Sequence, residues 1–325
     1  MGDLGIGIIG AGRHGERYIR HLVEVAGTRL AAICRRDRSR GEPLAAVHGC
    51  TFHHEWKSLI DDPRVDAIVT VVPPGLHRAI AETACRTGKP ILIEKPMATT
   101  LEDARRIVDA VQRSGVIAMV AQTLRFDATV DAVRAHVDAI APLHGLTLIQ
   151  RFEPSPLAWL DRRAESGGGV ILHTGVHSID LLRVLSRREV TEVSCFTRSI
   201  ATRETEDNFV MLARLAGDPV LAQVAGSRAL GGRTGLIELA GAGGQIVADH
   251  VRAEGWIVRG GERARLPVTA PVPTVREVLR AFVAAVTDGA PVPVTVIDGA
   301  RAVAVVDACY RSAARNGAPV SVESI

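Results

Sequence analysis

Between Gly5 and Val120, five short apolar runs alternate with stretches of helical periodicity: Gly5 to Ile9, Arg29 to Cys34, Ala67 to Val72, Ile91 to Ile93 and Val116 to Val120. A run as continuous as Ala67-Ile68-Val69-Thr70-Val71-Val72 suits a strand covered by helices on both faces, and the alternation predicts a parallel, doubly wound sheet. Past Phe126 the pattern changes. A helical run from Ala128 to Ala141, a strand from Thr147 to Phe152 and a Gly167-Gly168-Gly169 hinge feeding a helix to about Val184 come first. Six strand runs then follow between Val190 and Arg259 without a helix among them, which predicts an open, mainly antiparallel sheet. Helices at about Val275 to Asp288 and Asp298 to Asn316 close the second domain, the latter with Thr295 and Asp298 placed as a cap. The expected class is α/β plus α+β, with an N-terminal doubly wound domain over 1–124 and a second domain over 125–325.

Composition limits what such a chain binds. Lys plus Arg at 39 against Asp plus Glu at 36 leaves +3 over 325 residues, too little to argue for a nucleic-acid or membrane surface. Aromatics at 3% speak against base stacking, and no apolar run approaches the ~18 residues of a membrane span. Five scattered cysteines without a CxxC pair give neither a disulfide nor a zinc framework. A small-molecule partner in a reducing, cytoplasmic setting is expected.

Gly10-Ala11-Gly12-Arg13-His14-Gly15 stands directly after the first strand and opens a helix. The chain must turn at Gly10, a pyrophosphate must approach the backbone at Gly12, and the helix must close on the strand at Gly15. Free N–H groups at the helix N-terminus then face the phosphates, with Arg13 and His14 beside them. The second strand ends in Cys34-Arg35-Arg36-Asp37, where an NAD-preferring domain places a carboxylate for the ribose 2′-hydroxyl. Arg35 and Arg36 favour the 2′-phosphate of NADP, with NAD as the alternative because Asp37 is also in reach. The next strand ends run Val72-Pro73-Pro74-Gly75-Leu76-His77 and Ile93-Glu94-Lys95-Pro96. Ligands of doubly wound sheets sit outside the carboxyl ends of the strands, so Pro73, His77, Glu94 and above all Lys95 are delivered to the cofactor.

These motifs, with Gly167-Gly168-Gly169-Val170-Ile171-Leu172-His173-Thr174-Gly175-Val176-His177-Ser178-Ile179-Asp180 further on, occur in the order and spacing of one family. The chain resembles the Gfo/Idh/MocA oxidoreductases over nearly its whole length. The resemblance implies that Lys95 binds the substrate hydroxyl or carbonyl and that His177 exchanges its proton while hydride moves to or from the nicotinamide. Chemically the division is sensible, because imidazole titrates near neutrality and ammonium supplies charge for a developing alkoxide. It also implies a substrate of sugar, cyclitol or related polyol type and a homodimer or homotetramer built on the free face of the second sheet.

One position departs from the family. Many members have Asp four residues before the catalytic histidine, and this sequence has His173. A neutral imidazole stabilises neighbouring cations less than a carboxylate does, so His173 is open to proton relay, substrate contact or simple filling of the pocket. Gln122, Arg125, Trp159, Arg162 and Asp180 are candidate substrate contacts; an arginine suits anionic or hydroxyl-rich ligands and a tryptophan face suits a sugar ring. Where many relatives have Arg after the tryptophan, Leu160 stands here. His173, His177 and Asp180 also have a spacing that a metal site can use, but no metal is expected, since that reading leaves the glycine and Glu-Lys-Pro motifs without a role. Two rival functions remain, a non-catalytic NAD(P)-binding regulator and a reductase of an imine or tetrapyrrole-like substrate.

Overall fold

The computed structural model describes residues 2–217 and 220–325 and divides into two compact units. The first unit comprises residues 1–98, 102–122 and 273–300, the second 99–101, 123–272 and 301–325.

In the first unit six parallel strands, β1 (Leu4–Ile9), β2 (Thr28–Cys34), β3 (Thr51–His53), β4 (Ala67–Thr70), β5 (Ile91–Glu94) and β6 (Ala118–Ala121), lie in the order β3-β2-β1-β4-β5-β6. All residues of β4 and β5 are buried, as their unbroken apolar runs require. Helices α1 (Gly15–Leu22), α2 (Arg38–Val47), α3 (Trp56–Asp61), α4 (His77–Thr87) and α5 (Leu101–Ser114) form the crossovers. Helix α4 buries Ile80, Ala81, Ala84 and Cys85, the three- and four-residue spacing that sets one stripe against a sheet. The order reverses between β1 and β4, so the crevice at that point lies beside the glycine turn after β1.

In the second unit, α6 (Ala128–His136), β7 (Leu143–Arg151), the single-turn α7 (Arg163–Ser166) and α8 (Val176–Ser186) precede the strand run. Strands β8 (Val190–Arg198), β9 (Asn208–Leu215), β10 (Leu221–Ser227), β11 (Thr234–Gly241), β12 (Gly244–Asp249), β13 (Glu254–Arg259) and β14 (Glu262–Arg265) follow. The sheet order is β14-β13-β12-β11-β7-β10-β9-β8, extended at its far edge by β15 (Val320–Ser321). Every pairing is antiparallel except β7 with β10. One face carries the core: Leu146 and Leu148 of β7, Met211 and Ala213 of β9, and Val224 of β10 are buried, with α8 laid over β7 and β10. The opposite face carries Phe196, Val210, Leu212 and Leu221, all exposed.

Three local expectations change. Strand β3 and helix α3 are additional to the expected elements, because three residues of strand leave no period to read. The helix expected to run from the glycine hinge to Val184 is interrupted, with a π turn at Ile171–Gly175 ahead of α8. Helix α9 (Thr274–Thr287), expected to close the second domain, belongs to the first unit, where it packs on α1 and β6. Helix α10 (Val296–Ala313) begins as foreseen: Asp298 Oδ2 accepts from Thr295 N at 3.0 Å, and Asp298 N donates to Thr295 Oγ1 at 3.1 Å. Among the described residues no helix is long and apolar enough to cross a membrane.

Candidate active site

Gly10 has φ +97°, and a Cβ there would stand 2.2 Å from the Val71 carbonyl oxygen, so both conformation and space require glycine. The backbone N–H groups of Gly10 and Ala11 both donate to Cys34 O at 3.0 Å, which ties the turn to the end of β2. Nothing lies within 4 Å of the Cβ position at Gly12, whose bare backbone opens on a cleft of about 620 Å³. Gly10, Gly12, His14, Gly15, Arg35, Arg36 and Pro73 line this cleft. His54, Glu55 and Trp56 line it as well; they follow β3, and the carboxyl-end rule finds them once that strand is recognised.

The two arginines at the β2 tip differ. Arg35 turns inward, its Nη1 donating to Ala11 O at 2.8 Å and Glu16 Oε1 at 3.1 Å, and so braces the glycine turn. Arg36 is exposed at the cleft. Between Arg36 and α2, Asp37 caps the helix, accepting from Ser39 Oγ at 2.7 Å and Arg40 N at 3.3 Å; the Ser39 bond heads the influences that hold its carboxyl below the usual range. Arg13 is exposed and does not line the cleft.

Glu94 and His77, expected to touch cofactor, are buried and bonded to groups of the protein. Glu94 Oε1 is hydrogen-bonded to His14 Nε2 at 2.7 Å and to the Tyr18 hydroxyl at 2.8 Å. Burial alone would raise its pKa, but the bond and charge of His14, the Lys95 charge and the Tyr18 bond carry it below the usual value. Burial, and then Glu94, push the Tyr18 phenol well up. His77 is fully buried, its Nδ1 donating to the carbonyls of Pro96 at 3.1 Å and Met97 at 3.2 Å; burial drops its pKa to about 4. The neutral imidazole therefore clamps the segment that follows Lys95, whose bond to Pro96 is cis. Lys95 is half-buried at the carboxyl end of β5. Gln122, beyond the end of β6, is buried, and its Oε1 has no hydrogen-bond partner among the described residues.

In the second unit the glycine hinge is anchored by a buried carboxylate. Glu206 accepts from Gly169 N and Ile171 N at 3.1 Å and from the Tyr310 hydroxyl at 2.9 Å, and burial raises its pKa. The π turn that follows holds His173 buried; its Nε2–H donates to Ser166 O at 3.0 Å and the Trp159 ring meets it edge-on at 5.5 Å. His177 lies in the first turn of α8, half-buried. Arg125 and Asp180, read as substrate contacts, are engaged with each other: Arg125 Nε and Nη2 donate to Asp180 at 2.7 and 2.6 Å, with the carboxylate fully buried. Arg162 is exposed and paired with Glu165 at 2.9 Å.

A cavity of about 240 Å³ lies beside the hinge, lined by Gly169, Val170 and His173 together with Leu160, Asp161, Glu206, Asp207 and Arg228. No motif announced Asp207 or Arg228. The parallel register of β7 and β10 sets Arg151 opposite Ser227, so the chain leaves both strands at the same sheet edge, where β9 begins at Asn208.

Comparison with known proteins agrees with this architecture. Residues 4–122 match the family model described as an oxidoreductase family with NAD-binding Rossmann fold, and residues 121–247 match the GFO/IDH/MocA C-terminal domain. Inositol 2-dehydrogenase 1 of Saccharopolyspora erythraea is 30% identical over 98% of this chain and 96% of its own length. Inositol 2-dehydrogenase 2 of the same organism is 35% identical over 60% of this chain, and the match spans only 57% of that relative. The crystal structure of an oxidoreductase domain protein from Kribbella flavida superposes over 100% of both chains with a TM-score of 0.91 at 21% identity, a likeness of fold. With the glycine turn and the Glu-Lys-Pro strand end inside the first matched segment and the hinge leading into His177 inside the second, the chain belongs to the Gfo/Idh/MocA family of oxidoreductases, with an NAD-binding Rossmann domain at its N-terminus.

Proposed function

We propose that the chain interconverts a secondary alcohol and a ketone on a sugar, cyclitol or related polyol, using a nicotinamide dinucleotide. The observation that carries this is the pairing, at one sheet edge, of the open glycine cradle with Lys95. His77 anchors the segment after Lys95, and His14 and Tyr18 hold the Glu94 before it. Gly10, Gly12 and Gly15 would hold the pyrophosphate, and the dinucleotide supplies a hydride acceptor or donor when bound. In the oxidative direction the substrate O–H proton passes to the His177 imidazole as the Lys95 ammonium stabilises the developing alkoxide; reduction reverses both steps. His173, with Nε2–H committed to Ser166, serves as a wall of the substrate pocket that Trp159 braces.

Arg36 favours NADP, since its exposed guanidinium lines the cleft while the Asp37 carboxylate is occupied as a helix cap. NAD preference in wild type, or an Arg36→Ala variant with unchanged selectivity, would refute that preference. A second copy of the chain is expected against the open sheet face that carries Phe196, Leu212 and Leu221.

The decisive experiment screens inositols, aldoses and keto-sugars for a change in nicotinamide absorbance. Lys95→Ala and His177→Ala should each lower kcat by roughly 100-fold or more while leaving dinucleotide affinity intact. Undiminished turnover in Lys95→Ala overturns the mechanism.

A further inference from the structure

The cavity beside the hinge holds a guanidinium that makes no ion pair among the described residues. Arg228 is half-buried, and its Nε donates to Thr174 Oγ1 at 2.8 Å. Among the described residues no carboxylate comes within ion-pair distance of it. Two other arginines drawn into this unit's interior do have such partners: Arg125 has Asp180, and Arg183 has Glu189 at 2.7 Å.

The three carboxylates around the same cavity are already spent on the wall. Asp161 accepts from the backbone N–H groups of Arg203, Glu204 and Thr205 at 2.9 to 3.2 Å. Asp207 accepts from Ile200 N, Thr202 N and the Asn208 amide at 2.7 to 3.0 Å, and Glu206 holds the hinge. Their negative charge is thus offset by N–H dipoles, and Arg228 is the charged group that still offers donors to the space. Its burial, which lowers its pKa, is costly unless a partner supplies the missing bonds.

We propose that this cavity is a substrate subsite and that Arg228 binds an anionic substituent, a carboxylate or a phosphate, on a hydroxylated substrate. This inference rests on the reading of the chain as a polyol oxidoreductase and narrows its substrate class. About 240 Å³ is room for roughly eight water-sized groups, enough for the anion and the carbons that carry it. Thr174 fixes the guanidinium to the π turn that carries His173 into the cavity wall and that leads into the helix bearing His177. Planar, paired donors suit a carboxylate or phosphate better than a single ammonium would.

Calorimetric titration of the dinucleotide-loaded protein with D-gluconate, D-glucuronate, D-glucose 6-phosphate, D-glucose and myo-inositol tests the subsite. At least one anionic probe should bind ten-fold or more tightly than neutral D-glucose, and the carboxylate and phosphate probes identify which anion is read. Arg228→Met should abolish that preference, and Arg228→Lys, which keeps charge and most of the packing, should retain part of it. Equal binding of anionic and neutral probes, absence of binding by all of them included, overturns the inference, as does an intact preference in Arg228→Met. If neutral polyols are turned over in a Lys95-dependent reaction and no anion is preferred, the subsite fails and the polyol oxidoreductase stands. If neither kind is turned over, that broader reading fails as well.

Discussion

Removing one member of the Arg125–Asp180 pair should be among the most damaging single changes in the second unit. Its two charge-assisted bonds, at 2.7 and 2.6 Å, are fixed in a bidentate fork, with 12% of the Arg125 side chain and 1% of the Asp180 side chain exposed. Solvent screening is therefore small. Arg125→Met takes both of these bonds from Asp180, which also has Arg183 at 3.8 Å, while Asp180→Leu takes them from the Arg125 guanidinium. A buried pair broken at one side costs about 3 to 5 kcal/mol, because an uncompensated charge remains. With a urea m-value of about 1 to 3 kcal/mol/M, the unfolding midpoint should fall by roughly 1 to 5 M in either variant. The double variant tells pairing apart from simple loss of packing. With both charges gone and apolar groups of similar reach in their place, stability should return to within about 1 to 2 kcal/mol of wild type. Urea unfolding followed by far-ultraviolet circular dichroism on the four proteins closes the cycle. Single variants that each lose under about 1 kcal/mol, with additive effects in the double, would refute the pairing and return Arg125 and Asp180 to the list of substrate contacts.

Other expectations are direct. Gly12→Leu should leave the melting temperature unchanged, because nothing lies within 4 Å of the new Cβ, yet abolish dinucleotide binding in a fluorescence titration. His77 makes stability pH-dependent: its pKa is lowered to about 4 in the fold against ~6.5 in the unfolded chain, so the unfolded state takes up the proton first as pH falls. Stability should decline by about 3 kcal/mol from near pH 6.5 down to pH 4, and that part of the slope should vanish in His77→Asn. Leu212→Arg, on the open face of the sheet where Leu212 is 59% exposed, should reduce the mass seen by light scattering to that of one chain without loss of helix or strand signal.

The parts of this molecule legible in its sequence are those fixed by backbone demands or by local period. Gly10 and Gly12 announce a turn and an approach that no side chain permits, and the buried run of β4 announces a two-sided sheet; each conclusion needs only a few adjacent residues. Side-chain partnerships across long separations are another matter. Glu94 is the last residue of β5, and its carboxylate is taken by His14 and Tyr18, partners 80 and 76 positions away. Arg125 meets Asp180 across 55 positions, and nothing near either residue foretells it. Arg228 poses the same problem in reverse. Its sequence context, the end of a strand after Gly226 and Ser227, looks like any solvated loop, and its meaning comes from the parallel register that brings β7 and β10 to one edge with, among the described residues, no carboxylate within ion-pair distance of it. An arginine that finds its counter-charge inside the fold, as Arg125 does, contributes to stability. One buried without a counter-charge is a cost to the folded state, and that cost is recovered when an anion arrives, which is the physical reason to look for substrate specificity at Arg228 rather than at the arginines that the motifs singled out.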